Sequence, residues 1–446
     1  MEYIVNTPSG AVRGVAAKKD GITAYKGIRY ATAGRFEYPK EVTSWDGVYD
    51  ATEYGACAYQ PRAFYNEEDM PKKIFYYNEF RKGESYKYSE DCLFLNIFTH
   101  AEGGEKLPVI IYIHGGGYTG GCGHEKHFDE PVWPKKGVIG VTLNYRLGPL
   151  GFAVLPELKE EAGRCGNYGF YDQLTAIKWV KHNIEAFGGD ADNITIMGQS
   201  AGAMSVQQHC LSPLSKQLFH KAVMCSGGGV SKMLAAKTPD TRYEYWKMIM
   251  EKCGAATLEE FRRVPVEELF RVWQENKKGT MGGGCSPCVD GELVVDEGSA
   301  LLAKGEQHKI PYLIGTTSHD VIPPILYSMA KAWCEKQSTP SYLWFFERHL
   351  PGDDHGAWHS ADLWYWFGTL DNCWRPFTEH DRALSCEMVD RLCAFAKNTD
   401  PNCEGYTAWN PGGKVALAFG DGETTSKNPS KLKLWGTMFT NNAPGE

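Results

Sequence analysis

Attack on a carbonyl by an oxygen nucleophile needs an exposed hydroxyl, N–H groups to hold the negative charge that develops, and a base. The stretch "ITIMGQSAGAMSV" offers the first of these. Ile194 to Met197 is a short apolar run of strand type, and Ala201 to Gln208 reads as a helix without proline or charge. Between them, Gly198-Gln199-Ser200-Ala201-Gly202 fits G-x-S-x-G, an elbow in which the serine occupies a strained turn with its hydroxyl above a sheet. The glycines allow close approach of strand and helix, because a Cβ there would collide with the neighbouring element. Ser200 is then either a nucleophile or a cap for the helix that follows. The motif alone leaves both readings open. The second requirement is met by "HGGGY", His114 to Tyr118, which follows the apolar run "PVIIYI". Its flexible N–H groups, at Gly116 and Gly117, would combine with that of Ala201 to bind an oxyanion. A phosphate loop is a poorer reading, since no G-K-[ST] follows and no G-x-G-x-x-G opens a helix.

These residues need a scaffold that brings two loops to one edge. Apolar runs recur between helical patterns: "PVIIYIHGGG", "VIGVTLNYR", "ITIMG", "AVMCSG" and "IPYLIGTT". Near-continuous apolar strands alternating with helices imply a mostly parallel sheet covered on both faces. Before the elbow, Leu174, Ile177, Trp179, Val180 and Ile184 form a helical stripe that stops at "FGGD". Leu234 to Arg271 and Lys331 to Arg348 read as helical without intervening strands, and are expected to form lobes, around 230–300 and 322–358, over the carboxyl edge where ligands bind. The glycine-rich "KKGTMGGGC" near Gly279 reads as a loop.

The chain has 446 residues, 42% hydrophobic and 23% charged, as in soluble globular proteins. Its net charge of −8 argues against a nucleic-acid surface, and no apolar run is long enough to span a membrane. The start "MEYIVNTPSG" has neither a basic n-region nor an apolar h-region, so the expected compartment is the cytoplasm. The 14 cysteines are accordingly expected as mostly reduced thiols. Cys285 and Cys288 make a C-x-x-C without a second pair, and "HEKH" at His124 to His127 lacks the H-E-x-x-H spacing and reads as a solvated loop.

A family resemblance joins these pieces. "YKGIRYA", "EDCLFLNIF", "NYRLGPLGF" and "GNYGFYDQLTAIKWVKHNIEAFGGDADNITIMGQSAG" are similar to the type-B carboxylesterase and cholinesterase family, from "TPSGAVRG" to "FAKNTDPN". The resemblance implies an α/β-hydrolase fold over residues 1–446 and a serine carboxylesterase acting on small-molecule esters without metal or cofactor. It places the acid at Asp320, in "IPYLIGTTSHDVIPP", where most of the family has glutamate, and leaves His319 a bystander. It selects His359 as the base in "DDHGAWHSADLWYWFG", followed by Asp362, with His355 as the rival. It further implies Ser226 in support of the acid, two buried ion pairs, Arg35 with Glu90 and Arg146 with Asp172, and a family disulfide near Cys57 and Cys92. In a cytoplasmic protein the last two are expected as thiols.

Trp344, Phe345, Phe346, Trp364, Tyr365 and Trp366 cluster around the histidine segment and Tyr118 borders the glycine loop. They suggest either an aromatic-lined pocket for aryl or hydroxycinnamoyl esters or an ordinary core. The rival functions are a binding protein on the same fold, and a thioesterase or amidase with the same residues.

Overall fold

The computed structural model describes residues 3–65, 74–100, 105–230, 236–277 and 283–440; Leu234 and Gly279 lie outside them. The apolar runs become the centre of one sheet of 13 strands among these residues. Its middle runs Ile139–Leu143, Leu107–Ile113, Gly189–Gln199, Lys221–Cys225, Tyr312–Thr317, Ser341–Phe346 and Leu417–Phe419, all parallel. Antiparallel strands close both edges: Phe94–Thr99 pairs with Ile139–Leu143, and Thr425–Ser426 with Leu417–Phe419. The chain is an α/β-hydrolase fold, a mostly parallel sheet flanked by helices.

Alternation within one strand explains why the runs are continuously apolar. In Leu107–Ile113, Val109, Ile111 and Ile113 face one core with Trp179 and Val180, while Ile110 and Tyr112 face another with Trp364 and Phe395. A strand buried on both faces has no polar side to show. The helix Tyr168–Asn183 buries its expected stripe, and the chain turns at Gly188, φ 84°, before Gly189–Gln199. Among the described residues no helix is long and apolar enough to cross a membrane.

The first expected lobe contains helices Tyr243–Lys252, Leu258–Arg263 and Val266–Glu275. Their apolar faces pack in one cluster with Tyr118, Phe152, Phe170 and Ala201, at the sheet edge that carries the elbow. The second lobe is corrected. Only Pro323–Glu335 is a helix there; Ser341–Phe346, "SYLWFF", is a strand paired on both sides within the sheet. A fully buried strand and a buried helix both read as unbroken apolar runs, so periodicity could not separate them.

The two ion pairs differ. Arg146 donates to Asp172 at 2.9 and 2.7 Å, both side chains are buried, and its remaining nitrogen reaches the Glu37 carbonyl at 2.8 Å. Removing one partner would strand a buried charge, at about 3–5 kcal/mol. Arg35 donates to Glu90 at 2.9 Å, but that carboxylate is 36% exposed, so water softens the same loss.

"HEKH" is also corrected. Glu125 is buried between Arg81 and Arg62, at 2.8 and 3.0 Å, and His127 is buried against Phe80. Pairing with distant arginines makes burial of this polar run tolerable.

Candidate active site

At Ser200 the backbone takes φ 55° and ψ −123°, between the strand ending at Gln199 and the helix Ala201–Leu211. That strained turn is held by Ser200 N–H donating to the Cys225 carbonyl at 2.9 Å and by Met204 N–H donating to the Ser200 carbonyl at 3.0 Å. The two glycines are dictated by contact. A Cβ on Gly198 would stand 2.3 Å from the Gly202 oxygen, and one on Gly202 would stand 2.0 Å from the Ile113 oxygen. The hydroxyl makes no capping hydrogen bond to the helix, and the dihedrals are not those of a cap. Of the two readings of Ser200, the cap is therefore the one the geometry disfavours.

The glycine loop lies over this turn. A Cβ on Gly115 would come within 3.1 Å of the Ser200 Cβ, and Gly116, Gly117 and Tyr118 have successive positive φ of 107°, 61° and 62°. Thr119 and Gly120 N–H groups both donate to the Gly116 carbonyl, at 3.0 and 2.9 Å. The loop is thus a tight turn, one side of which faces the serine together with the N-terminus of the helix at Ala201.

Asp320 follows the strand Tyr312–Thr317, two along the sheet from Gly189–Gln199, and is fully buried. Its Oδ2 accepts from the Thr317 N–H and hydroxyl at 3.2 and 3.1 Å; its Oδ1 accepts from Val321 N–H at 2.8 Å and lies 2.5 Å from His359 Nδ1. Burial opposes the charge, but the His359 imidazole and these hydrogen bonds outweigh it and hold the carboxyl below its ordinary value. Ser226, φ 49°, follows Lys221–Cys225 and adds to this stabilisation, although its hydroxyl falls short of an aligned hydrogen bond. His319 N–H donates to the Ala357 carbonyl at 3.0 Å, tying the acid loop to the histidine loop. The His319 ring fills the space beside Gly356, and the ring of His355 packs on Phe75. Of the two rival histidines, it is His359 that meets Asp320.

The carboxylesterase family pattern matches residues 1–332 and 321–419 of the chain. The chain belongs to the carboxylesterase family. It is a carboxylic ester hydrolase, similar to the para-nitrobenzyl esterase of Bacillus subtilis (strain 168), at 30% identity over 98% of each chain. A solved para-nitrobenzyl esterase structure superposes with a TM-score of 0.83 at 27% identity, covering 98% of this chain and 100% of the other. A further solved structure, of an esterase from anaerobic Clostridium hathewayi that can hydrolyze aliphatic aromatic polyesters, gives 0.82 at 25% identity, covering 98% of each.

One residue of this carboxylesterase's site escaped sequence reasoning. The Gln199 side-chain Nε2 lies 3.1 Å from His359 Nε2, the ring nitrogen turned away from Asp320. The signal was present as the variable position of G-x-S-x-G, but nothing in the pattern told where its side chain points. A neutral imidazole protonated at Nδ1 has one lone pair at Nε2, so the Gln199 amide competes with any hydroxyl for it. Gln199→Glu would place a negative charge there and favour the imidazolium. The acid limb of kcat/KM for p-nitrophenyl acetate is expected to move up by about one pH unit. An unchanged limb would show that residue 199 does not face His359 during turnover.

Asp362, three residues after His359, is fully buried; one oxygen has no hydrogen-bond partner among the described residues and the other accepts from Trp366 Nε1 at 3.2 Å. Burial first, and then the Asp320 charge, push its carboxyl up to about 7. The native state therefore keeps a proton that the unfolded chain releases near pH 4, and stability falls as pH rises from there through 7. Asp362→Asn removes that penalty. Its melting temperature is expected to exceed that of the wild type at pH 8 and to approach it near pH 4.5, measured by thermal unfolding.

Of the two readings of the aromatic cluster, the ordinary core is the one the burial supports. Trp344, Phe345, Phe346, Trp364, Tyr365 and Trp366 are all 0% exposed and pack in the cores flanking the sheet, with Trp344 on Trp366 at 5.2 Å. Tyr118 is 4% exposed and its ring packs on Phe152 and Phe170 beneath the glycine loop. Clustering in sequence placed these rings together and left open whether they face a pocket or the core.

Proposed function

We propose that this carboxylesterase is a serine esterase working through an acyl-enzyme, with Ser200 as nucleophile, His359 as base and Asp320 as acid. Ser200 Oγ attacks the ester carbonyl while His359 Nε2 takes its proton, displacing the Gln199 amide. Asp320 holds the proton on Nδ1 and stabilises the imidazolium. Backbone N–H groups of Gly116, Gly117 and Ala201 receive the carbonyl oxygen as it gains charge. His359 then protonates the leaving alcohol, and water attacks the acyl-enzyme by the same route in reverse. The observation that carries this reading is the 2.5 Å contact of Asp320 with His359, whose other nitrogen reaches the residue next to Ser200.

Esters that carry an aromatic ring fit within this reading on the strength of the relatives' names, para-nitrobenzyl esterase above all, and not on the buried rings. The test is covalent labelling. A fluorophosphonate is expected to modify Ser200, located by peptide mass spectrometry, and p-nitrophenyl acetate is expected to slow the labelling. Label on another residue of active enzyme would overturn the assignment.

A further inference from the structure

We propose that Cys57, Cys122 and His124 form a binding site for a thiophilic divalent cation of the zinc class, pinning the segment that continues the glycine loop. Among the described residues, the two Sγ atoms and a ring nitrogen of His124 lie within 4.8 Å of one another, with Cys57 Sγ to His124 Nε2 at 3.6 Å. Zinc bonds of about 2.3 Å to sulfur and about 2.0 Å to nitrogen put tetrahedral ligands about 3.5–3.8 Å apart. The observed sulfur–nitrogen spacing already has that value, and the remaining pairs need only small side-chain movements.

The three residues come from two segments that buried carboxamides clamp together. Asn144 donates to the Ala56 carbonyl at 2.9 Å and accepts from Gly123 N–H at 2.7 Å. Gln60 donates to the Gly121 carbonyl at 3.0 Å and accepts from Gly121 N–H at 3.0 Å. Cys57 and Cys122 thus sit between two cross-links that fix their backbones, the preorganisation a metal site requires. The His124 ring is stacked on Tyr54 at 4.5 Å and flanked by Tyr86, which fixes its plane. Both thiols are buried and the imidazole is half-buried, so the ion would enter from the histidine side.

The charges balance. Arg81 Nη2 lies 4.0 Å from Cys122 Sγ, but its own charge is met by Glu125 at 2.8 Å. Binding forms two metal–sulfur bonds and one metal–nitrogen bond, displaces water from the ion and releases two thiol protons to solvent; nothing is oxidised or reduced. Two thiolates neutralise the divalent ion, and a fourth position is left for water. Cys122 lies four residues beyond Tyr118 on the segment continuing "HGGGY", so the ion would tie that segment to the strand Cys57–Ala58.

The experiment uses the full chain, reduced, stripped with EDTA and desalted, then titrated with Co²⁺ and followed by absorption. One equivalent per chain is expected, with thiolate-to-cobalt charge-transfer and tetrahedral ligand-field bands that Zn²⁺ displaces. Cys57→Ser and Cys122→Ser, each checked for folding by circular dichroism, are expected to lose the charge-transfer band, and Cys288→Ser to keep it. The proposal is overturned if no thiolate band forms, if the band survives in both serine variants, or if Cys57 and Cys122 re-form a disulfide in the reduced, desalted protein.

Discussion

Ser200→Ala is expected to lower kcat for p-nitrophenyl acetate by about 10⁵- to 10⁶-fold, with KM and the melting temperature near those of the wild type. The size follows from the loss of the covalent route. In the proposed mechanism, without Oγ His359 would have only water to activate, while the N–H groups of Gly116, Gly117 and Ala201 would still bind the oxyanion and sustain a residual rate. Folding should survive, because the turn at residue 200 is held by backbone groups: its N–H on the Cys225 carbonyl and its carbonyl on Met204 N–H. The side chain contributes no cap to the helix that follows. Alanine does inherit the strained φ of 55°, but serine bears the same strain, so the difference between them is small. Steady-state hydrolysis at matched protein concentration, with circular dichroism, checks both halves. Wild-type turnover in the variant would place the nucleophile elsewhere.

The parts of this architecture legible in the sequence were those fixed by local collisions and by burial on both faces. Gly198 and Gly202 are glycine because neighbouring carbonyls occupy the Cβ positions, a requirement that leaves its mark within five residues. The strands Leu107–Ile113 and Gly189–Gln199 showed themselves through β-branched runs. What failed depended on partners remote in the chain. Glu125 and His127 lie in a polar run whose burial is decided by Arg81, 44 residues away, and by the Phe80 ring. "SYLWFF" became a strand because Tyr312–Thr317 and Leu417–Phe419 present free edges on either side, which no property of the hexapeptide encodes. The aromatic residues after His359 carried correct hydrophobicity and no direction. Gln199 is the same problem at the site itself: its identity was plain and its orientation toward His359 was not.

Asp320→Asn is expected to reduce kcat by about 10⁴-fold, and the hydrogen bonds around the carboxylate say why. If the asparagine NH₂ takes the Oδ1 position, it meets the N–H of Val321 and forces His359 to turn its lone pair toward residue 320, moving the proton to Nε2. In the proposed mechanism His359 would then be protonated where it must accept. If NH₂ takes the Oδ2 position instead, the tautomer is preserved but the Thr317 N–H loses its acceptor inside the core. Both arrangements leave a backbone donor unpaired, a buried one in the second case, so a lower melting temperature should accompany the lost rate. Asp320→Glu separates length from charge. Most of the family that the sequence resembles has glutamate here, yet in this chain His319 N–H bonds to the Ala357 carbonyl and ties the two loops together at a spacing that aspartate spans. With the carboxylate already 2.5 Å from the imidazole and fully enclosed, an added methylene has no free space. The glutamate variant is therefore expected to be slower than the wild type, with an intact acid-limb pKa if only geometry is disturbed. A kcat equal to the wild type would mean that the two loops separate readily and that the backbone bond does not set their spacing.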